Sequence, residues 1–197
     1  MLIDTTQLDP DRTMPPLAPL RVSMATELFD TFPRLAGLVQ LRPGEGESVR
    51  DHAARLLQSE TPEDALVLTA FALRPRISIR WARGLLGKGV TALAPADAKM
   101  LALIDAWLAY PGESERHAVM CHALFAPTVP PAGMLGLAVG WSGGSFAPND
   151  TSPVPPFRAP RAVAGAVLAA LATTPTEARE TWLREAMDRG FALFGTA

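Results

Sequence analysis

Sulfur and imidazole are scarce in this sequence, whose 197 residues hold one cysteine and three histidines. The lone thiol, Cys121, excludes an intrachain disulfide and is what a reducing compartment permits. His52, His117 and His122 are the only imidazoles available to a metal site or a general base. Charge of either sign is in short supply too. The formal net charge of −2 excludes a globally basic nucleic-acid binder, although local patches stay open. Long apolar runs are missing as well, since the longest, near 134–141 and 162–172, fall short of the roughly 20 residues that span a bilayer. The opening Met1-Leu2-Ile3-Asp4-Thr5 lacks the basic stretch and apolar run of a signal peptide. A cytoplasmic protein without membrane contact is expected.

What is present is ordinary packing material. Hydrophobic residues make up 48% and charged residues 19% of the chain, enough for a packed core. Aromatics are few; alanine and leucine carry most of the apolar content, and both are strong helix formers. The expectation is an all-α fold: an extended proline-rich arm over 1–22, then one compact helical domain over 23–197. About eight to ten short helices and one long Pro-rich loop would build it.

Local signals place the elements. Leu28, Phe29 and Phe32 predict a short helix over 23–32, and Pro33 a second one running to Gln40. Pro43-Gly44-Glu45-Gly46 reads as a loop. Ser48 can cap a helix to Ser59, and Thr61-Pro62-Glu63-Asp64 reads as a hydroxyl cap with proline at the first helical position. The following 65–73 is apolar nearly all round, so that helix should be central. Residues 76–81 alternate as a strand would, but Ile77, Trp81 and Leu85 recur at helical spacing and both neighbours are helical, which favours a helix. Further helices are predicted over 95–110, 113–125, 131–141 and 161–172. Residues 142–160, with five prolines, form the long irregular stretch. Thr174 and Glu177 spell a capping box for a last helix, with Ala178, Trp182, Ala186, Phe191 and Phe194 on its core stripe.

Three motifs invite a chemical reading. Gly140-Trp141-Ser142-Gly143-Gly144 matches the glycine-flanked serine of a nucleophile elbow. That elbow needs a strand before the serine and a histidine after it, whereas all three histidines precede Ser142 and the surroundings read as helix. A glycine-rich helix end turning into the proline loop explains the segment better. His117 and Cys121 share a helix face, but His122 points about 100° away and no second His/Cys pair completes a tetrahedral set. A buried cysteine flanked by surface histidines is expected, with no metal or other cofactor. Arg74, Arg76, Arg80, Arg83 and Lys88 form a positive run with no acid among them. Arg76, Arg80 and Arg83 share a helix face that can take a phosphate or an acidic partner; the simpler reading is a solvated face paired with Glu60, Glu63 and Asp64.

The segment Trp141-Ser142-Gly143-Gly144-Ser145-Phe146-Ala147-Pro148, then Pro153-Val154-Pro155-Pro156 and the alanine-rich 161–167, resembles an uncharacterised bacterial helical family of unknown function. Members share the Trp-Ser-Gly-Gly-Ser segment, a proline stretch, an early Arg-Pro-Gly turn and a central helix bearing tryptophan, here Trp81. The resemblance implies an accessory or adaptor role, because members are sometimes encoded beside type VI secretion genes, and it implies no catalytic residues. The leading expectation is therefore a non-enzymatic interaction module with a protein partner. Its contact residues would be Trp141, Ser142, Gly143, Gly144, Ser145, Phe146 and Phe157, with Trp141, Phe146 and Phe157 as apolar anchors. A hydrolase using Ser142 or the His117/Cys121 region is the alternative, and a small-ligand binder a third.

Overall fold

The computed structural model describes residues 18–86, 95–126, 128–147 and 150–195. Most of the predicted arm, together with Lys88, Pro148 and the Pro127 stop, lies outside them. The arm's last residues, 18–22, run along residues 72–74, with Leu20 bridged to Leu73. Arg21 N donates to the Ala72 carbonyl at 2.9 Å and Arg74 N to the Pro19 carbonyl at 2.9 Å.

Among the described residues the fold is all helical, with α1 (Ala25–Thr31), a 3-10 turn (Pro33–Gly37), α2 (Val49–Leu57), α3 (Asp64–Ala72) and α4 (Pro75–Leu85) in the first half. The second half holds α5 (Pro95–Ala109), α6 (Glu113–Leu124), α7 (Pro131–Gly140), α8 (Arg158–Thr173) and α9 (Thr176–Leu193). The alternating 76–81 segment is helical, as its apolar spacing requires. Ser78, Ile79, Trp81 and Ala82 bury one side of α4, and the arginines keep to the other.

Two helices that are apolar all round organise the packing, because a helix without a polar face must be covered on every side. Every residue from Ala65 to Ala72 of α3 is buried. The second, α7, is built from small residues and packs against α4, α5, α6 and α8. A Cβ on Gly136 would lie 2.6 Å from Met100 Sδ, and one on Gly140 would lie 2.4 Å from Met120 Cβ. Glycine there is what lets α5 and α6 close onto α7. The amphipathic α8 bridges α7 to α3 and α4. The last helix then seals α3 and α4, with Trp81 Nε1 donating to the Ala186 carbonyl at 3.1 Å.

Several expectations need correction. Ser48 caps α2 as predicted, accepting from Asp51 N at 3.0 Å. Thr61-Pro62 instead forms a turn before α3, whose N-cap is Glu63; the Thr61 hydroxyl bonds Asp64 Oδ2 at 3.0 Å. The capping box is not made. Only Thr174 and Pro175 separate α8 from α9, and Thr174 serves the earlier helix, its hydroxyl donating to the Ala170 carbonyl at 3.1 Å. The stripe of α9 holds in part: Ala186 and Phe194 are buried and Trp182 and Phe191 pack half-buried against the core, while Leu183, Met187 and Gly190, outside the predicted set, are buried too. The segment after Pro33 closes as a 3-10 turn. The irregular stretch ends at Phe157, since Pro160 is tolerated within the first turn of α8. No described helix is long and apolar enough to cross a membrane.

Candidate functional site

The loop after α7 is held from below by one buried arginine. Arg116 of α6 has a side chain only 2% exposed. Its guanidinium donates to the Gly140 carbonyl, to the Ser145 carbonyl at 2.9 Å and to Glu113 Oε2 at 2.7 Å. Burying a guanidinium is costly unless its donors are matched. Here the end of α7, whose last carbonyls lack helical partners, supplies part of the match, and the Trp141–Phe157 loop supplies the rest. Glu113 is held below the usual carboxylate range, chiefly by its hydrogen bond from Arg116. Gly144 takes φ +62°, and a Cβ there would lie 2.7 Å from both Arg116 Nη2 and Glu113 Oε2, so only glycine lets the loop close over the clamp. The turn then pairs Ser145 with Pro153, and Val154 N donates to the Gly144 carbonyl at 3.1 Å.

Ser142 ends α7. Its hydroxyl donates to the Val139 carbonyl at 2.8 Å, as the glycine-rich helix-end reading expects. The nearest chemistry belongs to Ser145, whose carbonyl lies 3.3 Å from His117 Nε2. That nitrogen also lies 3.0 Å from Arg116 Nη2. No hydrogen bond joins a histidine to Ser142 among the described residues.

The upper side of the loop carries the aromatic anchors, each half-buried and each covered by a guanidinium. Arg158 stands 5.4 Å from the Trp141 ring centroid and 4.9 Å from that of Phe146, and Arg34 stands 4.3 Å from that of Phe157. Helices α7 and α8 run antiparallel here, with Met134 beside Gly165 at one end and Trp141 beside Arg158 at the other. Between them lies a groove of about 560 Å³, lined by Met134, Leu137, Trp141, Phe157, Arg158 and Arg161, with Arg34 and Val129 at its rim. The structure thus brings Trp141 and Phe157 into one groove, with Phe146 under the same arginine; Ser142 and Ser145 belong to the supporting turn.

Residues 52–194, more than two thirds of the chain, match the family of unknown function DUF6931. The chain belongs to that family. No curated protein and no solved structure matches it. The DUF6931 span takes in the Arg116 clamp, the loop and all of the groove except Arg34.

Elsewhere in this DUF6931 chain the predicted charge face lies at the surface, with Arg76 and Arg80 exposed and Arg83 half-buried, but most of it is bonded within the fold. Arg83 makes a paired contact with Asp105 of α5, Nε to Oδ1 at 2.8 Å and Nη2 to Oδ2 at 2.7 Å. Arg76 donates to the Leu108 carbonyl at 2.7 Å and Arg74 to the Ala18 carbonyl at 2.8 Å. Among the described residues no ion pair joins them to the expected Glu60, Glu63 or Asp64; Asp64 instead accepts from Gln40 N at 2.8 Å. Arg80 stays exposed. These arginines brace α4 against α5 and the arm.

The cysteine expectation is reversed. Cys121 is exposed, because α6 turns Arg116, Val119, Met120 and Ala123 inward instead, and the flanking His117 and His122 are half-buried. His52, on α2, is fully buried. His52 Nδ1 lies 3.1 Å from Glu47 Oε2 and 2.9 Å from Arg55 Nη2, and burial holds its pKa down. Glu47 also accepts from Arg55 Nε at 2.8 Å and from Gly44 N at 2.7 Å, and the Arg55 bonds draw its pKa down to about 2. This network locks the Arg-Pro-Gly turn onto α2. Among the described residues no group of three or more His, Cys, Asp and Glu is placed to hold a metal ion.

Sequence reasoning missed Arg34, Arg158 and Arg161. Arg158 and Arg161 stand at the start of α8 directly after Phe157, a visible signal. Arg34 is more than a hundred positions away, and only folding brings it there.

Proposed function

We propose that this chain is a non-enzymatic protein-docking module whose contact face is the 141–157 loop and the groove between α7 and α8. The observation carrying this reading is the set of half-buried aromatics, Trp141, Phe146 and Phe157, gathered beneath arginines on one rigidly supported face. Aromatic and arginine side chains are the residue types that dominate protein interfaces. The Arg116 clamp holds the loop in one conformation, which lowers the ordering cost of binding. A cytoplasmic accessory or adaptor role beside a bacterial secretion system fits such a module; that part rests on the family resemblance alone.

The test is affinity capture from the native cell followed by mass spectrometry, using the parent chain and a Trp141→Ala/Phe146→Ala/Phe157→Ala variant. The triple variant should keep its helical circular dichroism and lose a specific partner. Undiminished capture by the folded variant sinks the proposal. The hydrolase alternative predicts labelling of Ser142 by a serine-reactive phosphonate; the bond from its hydroxyl to Val139 speaks for no labelling.

A further inference from the structure

The first turn of α8 breaks a local rule. The N-terminus of a helix carries partial positive charge and favours acids, yet α8 begins with Arg158, has Arg161 one turn in, and has no acid in its first turn. Arg34 adds a third guanidinium at the rim, and no acidic side chain lines the groove. Among the described residues none of the three arginines is joined to a carboxylate, although Arg55, Arg83, Arg116 and Arg184 all are. Local positive charge of this kind, on a chain of net charge −2, is uncompensated within the described fold and marks a place where sequence serves something other than stability.

Chemistry narrows the occupant. A base would need an open aromatic face, but the Trp141 and Phe146 rings face Arg158 and the Phe157 ring faces Arg34. A guanidinium held over a ring spends no N–H hydrogen bond on it and so keeps donors for a carboxylate. Toward the other end of the groove the lining is apolar, with Met134, Leu137, Ala162 and Gly165. Along α8 the lining runs from Arg158 to Gly165, seven rises of about 1.5 Å, or about 10 Å. That is the span of about three extended residues.

We propose that the groove takes a short acidic peptide segment of a partner protein, its carboxylates on Arg34, Arg158 and Arg161 and an apolar side chain between α7 and α8. This names the partner chemistry of the docking face proposed above and rests on that reading.

The experiment pans phage-displayed random heptapeptides against the full chain and measures recovered peptides by fluorescence anisotropy. Enriched sequences should pair two or more acids with an aliphatic or aromatic residue. Arg34→Glu/Arg161→Glu, both at exposed positions, should weaken them by about tenfold or more while leaving the circular dichroism and melting temperature near the parent's. Enrichment of neutral or basic peptides, affinity indifferent to the double variant, or no enrichment at all overturns the proposal. So does a single-stranded oligothymidylate that binds with the same arginine dependence, or an acetyl-glutamate amide that binds as tightly as the heptapeptides. The two readings fail separately. Loss of native capture in the aromatic variant without acidic enrichment leaves the docking face standing and removes this chemistry. Arginine-dependent acidic enrichment, with native capture unaffected by the aromatics, removes the docking reading instead.

Discussion

Replacing Arg116 by methionine, similar in length but without donors, should release the loop and weaken the fold by about 2 kcal/mol. The magnitude follows from what each partner loses. Gly140 is buried at the end of α7, and its carbonyl takes its donor from Arg116. Left unpaired it costs about 1–3 kcal/mol. The Ser145 carbonyl belongs to a half-buried residue and can turn to water, so it adds about 0.5–1 kcal/mol. Glu113 is 68% exposed and adds little. Relief of guanidinium burial offsets part of this sum. At about 2–4 °C per kcal/mol for a chain of this size, the melting temperature should fall by about 4–8 °C. Urea unfolding followed by circular dichroism reads the global loss, and limited proteolysis reads the loop, which should be cut between 142 and 157 faster than in the parent. Arg116→Lys, which reaches fewer acceptors, should fall between. An Arg116→Met chain within about 0.5 kcal/mol of the parent, with unchanged cleavage, would refute the clamp.

The same loop gives a paired glycine test. Gly144→Ala forces a side chain into φ +62° and against Arg116 and should cost about 1–3 kcal/mol, whereas Gly143→Ala, which meets open space, should change stability by about 0.5 kcal/mol or less in urea titrations. Acid should weaken the fold in two stages. His52 is buried with its pKa below the ordinary 6.5, so the unfolded chain binds its proton first and stability falls as pH drops below 6.5. Glu47, drawn down to about 2 from 4.5, stabilises the fold above 4.5 and loses that contribution between pH 4.5 and 2. With its carboxylate partly hydrated, that second loss is roughly 1–2 kcal/mol. Denaturant midpoints measured from pH 8 to 3 should decline below 6.5 and again below 4.5; a midpoint rising on acidification contradicts the network, and Glu47→Gln should flatten the lower part of the curve. Exposed Cys121 should react with Ellman's reagent in the folded chain, and reaction only after unfolding would return it to the core.

The covering of charge shows where sequence reasoning stopped. Arg76, Arg80 and Arg83 were legible as one face of a helix, because helical spacing fixes which residues stand together. What they meet was not legible, because Asp105 and the Leu108 carbonyl belong to another helix. The capping box failed for a related reason. Thr174 can satisfy either the helix before it or the one after, and the tight α8–α9 connection chose the first. The groove is the extreme case, since Arg34 joins Arg158 and Arg161 only through the chain path.

By itself the sequence determined the helical class, the positions of most helices and the all-round burial of α3, since propensity, proline placement and apolar periodicity act within a few residues. It also showed that no histidine follows Ser142, as a nucleophile elbow would require. Tertiary structure alone decided that Arg116 lies under the loop, that Cys121 faces water while His52 does not, and that three arginines converge on one groove. Those outcomes depend on which helix faces pack together, and packing free energy belongs to contacts between segments that no local pattern encodes.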